Sequence, residues 1–177
     1  MPNGRTHDAI TFLFAIPAFA AGYLYAHSLA SAAIIGFGFL FGGLMFGPDL
    51  DTVSRQYSRW FIFRYLWFPY KSFFKHRSRF SHGLIFGALI RVVYFLGVLT
   101  LTAFLAAYLY AAYSGGKLPG FVDLAGVWQR IGEFTQSNFG DYFLVFVFIG
   151  LWLGAASHTF TDMAGSFIKT GRIAKFL

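Results

Sequence analysis

Cysteine is absent from this chain, which excludes disulfides and any metal site built on thiolates. Charge is scarce as well: 12% of residues are charged, against roughly 25% in an ordinary soluble domain. Acidic residues number only 7. There is no low-complexity tract, no convincing internal repeat, no nucleophilic-serine elbow and no phosphate-cradling glycine loop. What is present is apolar. Hydrophobic residues make up 57% of the 177 positions, and phenylalanine alone supplies 25. A chain this short cannot hide so much apolar surface in a water-soluble globule, because the buried fraction grows only slowly with size. The composition therefore predicts an all-α, polytopic membrane helix bundle, and the length suits one domain over residues 1–177.

Four runs are long and apolar enough to cross a bilayer: about Ala9–Ala26, Leu29–Phe46, Gly83–Tyr113 and Tyr142–Ser157. The first contains Pro17, which a packed membrane helix tolerates. Glycines four apart (Gly38 and Gly42, Gly43 and Gly47, Gly83 and Gly87, Gly150 and Gly154) predict close helix approach, within the bundle rather than between copies. Ala18-Phe19-Ala20 would suit signal cleavage. Arg5 is the only basic side chain before it and Asp8 sits beside it, so an uncleaved first helix is expected.

Four crossings return the C-terminus to the side on which the chain begins. Arg5, the seven basic residues from Arg55 to Arg79 that include Lys71 and Lys75, and the tail cations Lys169, Arg172 and Lys175 fall on that side, whereas Lys117 and Arg130 fall on the other. The excess of basic residues marks the cytoplasmic face, or its plastid equivalent, so both termini are expected there. Between Thr52 and His82 the cations are interleaved with Tyr57, Trp60, Phe61, Phe63, Tyr65, Trp67, Phe68, Tyr70, Phe73 and Phe74. That mixture suits a lipid headgroup layer. It also resembles a single-strand nucleic-acid surface, but beside four spans lipid is the expected partner and nucleic acid is not. On the far side Phe121, Leu124, Trp128, Ile131 and Phe134 recur at helical spacing, predicting a short helix lying flat on the membrane.

The histidines and acids gather at one end. His7 and Asp8 precede the first run, Asp49 and Asp51 follow the second, His76 and His82 precede the third, and His158 and Asp162 end the fourth. All eight share the cytoplasmic side, while His27, Asp123, Glu133 and Asp141 lie opposite. His158 and Asp162 are four apart and share a helix face. Carboxylates crowded near one another cost several kcal/mol unless compensated, and a divalent cation compensates them directly. Mixed His and Asp donors suit Zn, Mn, Fe or Ni better than Ca or Mg. The candidate ligands are His7, Asp49, Asp51, His76, His82, His158 and Asp162; one or two ions are expected, and two are favoured because these ligands outnumber what one tetrahedral ion needs. Asp8 is expected to orient a ligand. Arg91, about two and a half turns inside the third run, is expected to snorkel, to pair with Asp49 or to hold a substrate phosphate.

The order Gly4-Arg5-Thr6-His7-Asp8, Pro48-Asp49-Leu50-Asp51-Thr52, His76-Arg77-Ser78-Arg79-Phe80-Ser81-His82-Gly83 and His158-Thr159-Phe160-Thr161-Asp162 resembles a family of uncharacterised metal-binding membrane proteins common in cyanobacteria. More distantly it is similar to the membrane-bound metal-dependent hydrolases, a group related to zinc-dependent phospholipase C. Their pattern is an early His, then Pro-Asp-x-Asp-His, His-Arg-Gly-x-Thr-His-Ser and His-x-x-x-Asp. This chain departs from it at Thr52, Ser78 and Ser81, and it has a single His-x-x-x-acid pair.

The expected function is a metal-dependent hydrolase at the cytoplasmic membrane surface, acting on a phosphoester or lipid-linked substrate. In it Asp49 serves as general base and Arg91, Arg77 or Arg79 holds an anionic group. The alternative is a non-catalytic metal protein, an assembly factor, sensor or scaffold whose ion ties helix ends together. A transporter would need polar groups near the midplane and on both halves, and the spans offer only Arg91. The sequence names neither a substrate nor a protein partner.

Overall fold

Asn3 starts the first helix: its side-chain oxygen accepts from the backbone N–H groups of Arg5 and Thr6, both at 3.0 Å. In this computed structural model, which describes residues 3–74 and 78–171, α1 therefore runs Gly4–Ala26 and α2 runs Leu29–Leu44. His27 takes a left-handed conformation (φ 48°) to close α1, and the Ser28 hydroxyl caps α2 at the Ser31 N–H, so two residues suffice to turn the chain. A 3-10 turn, Pro48–Asp51, follows. Then come α3 (Arg55–Ser58), a 3-10 segment (Phe61–Trp67), α4 (Phe68–Phe73) and α5 (Arg79–His82). The long α6 (Phe86–Ser114), α7 (Phe121–Phe139) and α8 (Phe143–Thr170) complete the described chain, in which no strand occurs. Four of these elements, covering Gly4–Ala26, Leu29–Asp51, Phe86–Ser114 and Phe143–Thr170, are long and apolar enough to cross a membrane.

Three boundaries differ from the expectation, each for a local reason. The Asn3 cap starts α1 upstream of the apolar run, so His7 and Asp8 lie on the helix rather than before it. Residues 83–85 remain outside α6, so Arg91 sits in the second turn of that helix. α8 continues past Ser157 and carries His158 and Asp162 on one unbroken helix.

The chain divides into two units, residues 1–92 with 145–177, and residues 93–144. In the first, α2 packs against both α1 and α8, and glycines set both approaches. A Cβ on Gly22 would meet Ala32 and Ile35. One on Gly38 would meet the Gly150 Cα at 3.1 Å, and one on Gly154 would meet the Phe39 carbonyl and, at 2.7 Å, the Gly43 nitrogen. The spaced glycines thus serve packing within the chain, as small residues do in lipid. Trp152 Nε1 on α8 donates to the Leu84 carbonyl at 2.6 Å, fixing the turn before α6.

The aromatic stretch is two-faced. Tyr57, Trp60, Trp67 and Tyr70 are buried rather than at a surface. Trp67 packs edge-on against Phe46, Trp60 and Tyr70 with ring centroids 5.3–5.6 Å apart, and Trp60 Nε1 donates to the Met45 carbonyl at 2.8 Å. Phe61, Ile62, Phe63, Tyr65, Phe68 and Phe73 stay exposed. In the second unit α7 forms where the spacing placed it. Asp123 accepts from the Gly120 N–H at its start (2.8 Å), and none of its residues is buried.

Gly154→Ala is expected to lower stability by about 1–3 kcal/mol, the usual cost of overpacking. Gly97→Ala, where a Cβ meets nothing within 4 Å, should be neutral or stabilising by up to about 1 kcal/mol. Thermal unfolding of both variants in detergent checks this; equal midpoints would contradict the glycine contact.

Candidate metal centre

Four separate stretches of chain deliver six titratable side chains to one place. α1 supplies His7, the Pro48–Asp51 turn supplies Asp49 and Asp51, α5 ends on His82, and α8 supplies His158 and Asp162. All but Asp49 are nearly inaccessible, between 1% and 6% exposed. The side chain of Asp49 is 27% exposed.

These groups alternate as acid and imidazole. Asp51 Oδ2 lies 3.6 Å from His82 Nδ1, and His82 Nε2 lies 3.6 Å from Asp49 Oδ1. The other Asp49 oxygen is 3.3 Å from His158 Nε2. That nitrogen is 3.8 Å from Asp162 Oδ2, and Asp162 Oδ1 is 3.3 Å from His7 Nε2. The imidazoles of His7 and His158 stack with centroids 3.8 Å apart and planes within 9°. Within this chain, ligand atoms of His7, His158 and Asp162 lie within 4.8 Å of one another, the one group of three or more such residues that does so among the described residues.

The neighbours hold these side chains in place. Gln56, 4% exposed, contacts His158 Nδ1 at 3.2 Å and accepts from the Asp49 N–H at 3.1 Å. Ser81 Oγ lies 3.0 Å from His82 Nδ1. Arg91, 2% exposed, donates to the Ser81 carbonyl at 2.5 Å, which ties the base of α6 to the His82 turn. Arg91 is therefore buried and does not snorkel, and Tyr70, Asp51 and Asp49 contribute to its electrostatic surroundings. Asp8 borders the same small cavity as His7, Asp49 and His158, but its carboxylate is held by two arginines. It takes a two-pronged bond from Arg59 (2.9 and 2.7 Å) and an ion pair from Arg55 (2.8 Å), pinning α1 to α3. His76 and Arg77, like the tail beyond residue 171, lie outside the described residues, as does the side chain of Arg79.

Gln56 carries no sequence signal as a site residue, and Ser81 stands out only as a departure from the resembled motif. Neither titrates, and Gln56 precedes no recognisable motif; only the fold shows that its amide spans from the Asp49 turn to α8.

The donors fit a divalent cation on three grounds. Asp49, Asp51 and Asp162 crowd three carboxylates among three imidazoles in a mostly buried cluster, a grouping that a divalent ion compensates directly. His158 Nε2 and His7 Nδ1 are buried without a hydrogen bond. A cavity of about 20 Å³ touches His7, Asp49, Gln56 and His158, enough for one ion or water. Mixed imidazole and carboxylate donors are those of transition-metal sites.

Comparison with known proteins points the same way. Residues 2–172 match the family described as uncharacterized metal-binding protein (DUF2227). An uncharacterized protein of Aquifex aeolicus (strain VF5) is 31% identical over 137 residues, which is 76% of this chain and 91% of that protein. No solved structure matches the chain. A match over nearly the whole length, on a chain whose fold gathers His7, His158 and Asp162, makes this protein a member of that metal-binding family.

Proposed function

We propose that the chain is a multi-pass membrane protein holding one divalent transition-metal ion, of which zinc is the first candidate and Mn or Fe the next. The ion sits at the cytoplasmic end of the bundle and joins the helices whose acidic and imidazole side chains meet there. The observation that carries this reading is the cluster of three carboxylates and three imidazoles, all but Asp49 buried. His7, His158 and Asp162 are the ligands, Asp49 is the group best placed to complete the set, and His82 and Asp51 close the cluster behind it. One ion is preferred to two because the described residues form one close donor group. Since the ligands come from α1 and α8 as well as from the turn after α2, ion binding contributes directly to folding.

Hydrolysis of a phosphoester or lipid-linked substrate is the second reading, and one observation favours it: Asp49 is the partly exposed member of a buried cluster, so solvent can reach the site beside it. A divalent ion there would supply a water of lowered pKa and polarise the substrate's oxygen. Asp49 would orient that water or accept its proton, and Arg55, 52% exposed at the same edge, would meet an anionic group. The order of the four motifs, which resembles that of membrane-bound metal-dependent hydrolases, supports the same chemistry. The burial of the ligands supports the non-catalytic role.

The excess of cations on the side that holds the cluster supports a cytoplasmic placement with both termini inside. Membrane lipid is the proposed partner of the exposed aromatic rim Phe61–Phe73 and of α7, whose Val127, Trp128, Ile131 and Phe134 are uncovered.

Purified protein is expected to carry about one equivalent of metal, lost in His158→Ala and in Asp162→Ala. Chelation should lower the unfolding midpoint by roughly 5–10 °C, the effect of an ion held near a hundredfold above its dissociation constant. Unchanged metal content in both variants would reject the site. Metal-dependent cleavage of bis-p-nitrophenyl phosphate that disappears in His158→Ala would establish the hydrolase reading, and equal rates in wild type and variant would reject it. The natural lack of cysteine makes single-cysteine reporters clean. Ser137→Cys should react with an impermeant maleimide outside intact cells and Ser58→Cys only after permeabilisation; the reverse pattern would invert the proposed topology.

A further inference from the structure

Gln56 has its amide fixed by two backbone groups. The Asp49 N–H donates to Oε1 at 3.1 Å, and Nε2 donates to the Gly43 carbonyl at 2.7 Å. A backbone N–H only donates and a carbonyl only accepts, so the amide cannot be turned end for end without setting donor against donor and acceptor against acceptor. Gly47 leaves the room this requires: a Cβ there would collide with the Gln56 amide. The amide is 4% exposed, so water cannot replace a lost bond cheaply.

One consequence falls on His158. Its Nδ1 lies 3.2 Å from Gln56 Nε2, which has a second hydrogen to give and no lone pair to offer. Nδ1 is therefore the acceptor. A neutral imidazole carries one N–H, which puts the proton on Nε2, the nitrogen that faces Asp49 at 3.3 Å and Asp162 at 3.8 Å. Metal-bound histidines have the opposite arrangement: the ligating nitrogen is bare and the other donates to a carboxylate or carbonyl. His7 has no such conflict, since its Nδ1 has no hydrogen-bond partner.

We propose that Gln56 holds His158 in the Nε2-protonated tautomer and so weakens the metal site, making its ion exchangeable. On loading, one proton moves from Nε2 to Nδ1, with none gained or lost, and the new Nδ1–H faces the Gln56 donor that formerly bonded it. The hydrogen bond between them is given up, and the binding constant falls accordingly. The proposal rests on the metal reading above. Gln56 is a positioning residue in it and touches neither ion nor substrate.

The test uses the full chain in detergent with ¹⁵N-labelled histidine, stripped of metal by a chelator and then titrated with Zn(II). Long-range ¹H–¹⁵N correlation reads each tautomer, and the signal absent from His158→Ala identifies His158. The expected result is Nε2–H without metal and Nδ1–H with it. Nδ1–H in the metal-free wild type overturns the proposal. Gln56→Glu, which offers Nδ1–H an acceptor, should tighten Zn(II) about tenfold against a chelating indicator, the lower end of what such outer partners are worth. In the metal-free state it should also shift His158 to Nδ1–H. An affinity no tighter than wild type, or a tautomer left at Nε2–H in that variant, overturns it. Should Gln56→Glu fail to fold, the wild-type spectrum still decides. Equal Zn(II) uptake by wild type and His158→Ala would instead reject His158 as a ligand, a result separable from any failure of the Gln56 role.

Discussion

Three carboxylates inside an apolar helix bundle are the constraint to which the rest of this structure answers. Each would cost several kcal/mol to bury alone. Their surroundings look like successive partial compensations: three imidazoles set between them, one guanidinium at the base of α6, and a small cavity with room for an ion. The glycines belong to the same account. Without the close passage of α8 across Gly38, Gly42 and Gly43, His158 could not stack on His7 nor reach Asp49. A packing motif thus sets the geometry of an electrostatic one.

Much of this was legible in the sequence because hydropathy and charge are local properties. Four apolar runs, the helix at residues 121–139 and the gathering of His7, Asp49, Asp51, His82, His158 and Asp162 at one end follow from spacing and from counting crossings. What could not be read is pairing between distant residues. Arg55 and Arg59 could serve any acid on their side; the fold gives both to Asp8, whose carboxylate they hold at the edge of the cluster. Arg91 sits nearer the start of its helix than hydropathy places it, because its bond to the Ser81 carbonyl goes with a turn at residues 83–85 that hydropathy reads as helix. The aromatics of residues 57–74 share one composition and two fates, since Trp60, Trp67 and Tyr70 fill a core while Phe61, Phe63 and Phe73 do not. Composition cannot sort them because every ring in the stretch suits either environment.

Gln56 illustrates why a site is more than its titratable members. Its amide ties the backbone of the Asp49 turn to the end of α2 and to the imidazole on α8. The same three contacts stiffen the site and set the proton position on a ligand. A polar neighbour that supports the fold can therefore work against the ion, and the balance between the two decides whether the metal is a permanent tie or an exchangeable one.

The central claim is that a transition metal binds among these imidazoles and carboxylates. X-ray absorption at the edge of the metal that copurifies with the full chain tests it most directly. The account predicts a shell of nitrogen and oxygen neighbours with the outer scattering of two imidazole rings, those of His7 and His158. A shell of oxygen alone, or protein that is folded and free of metal, would contradict it.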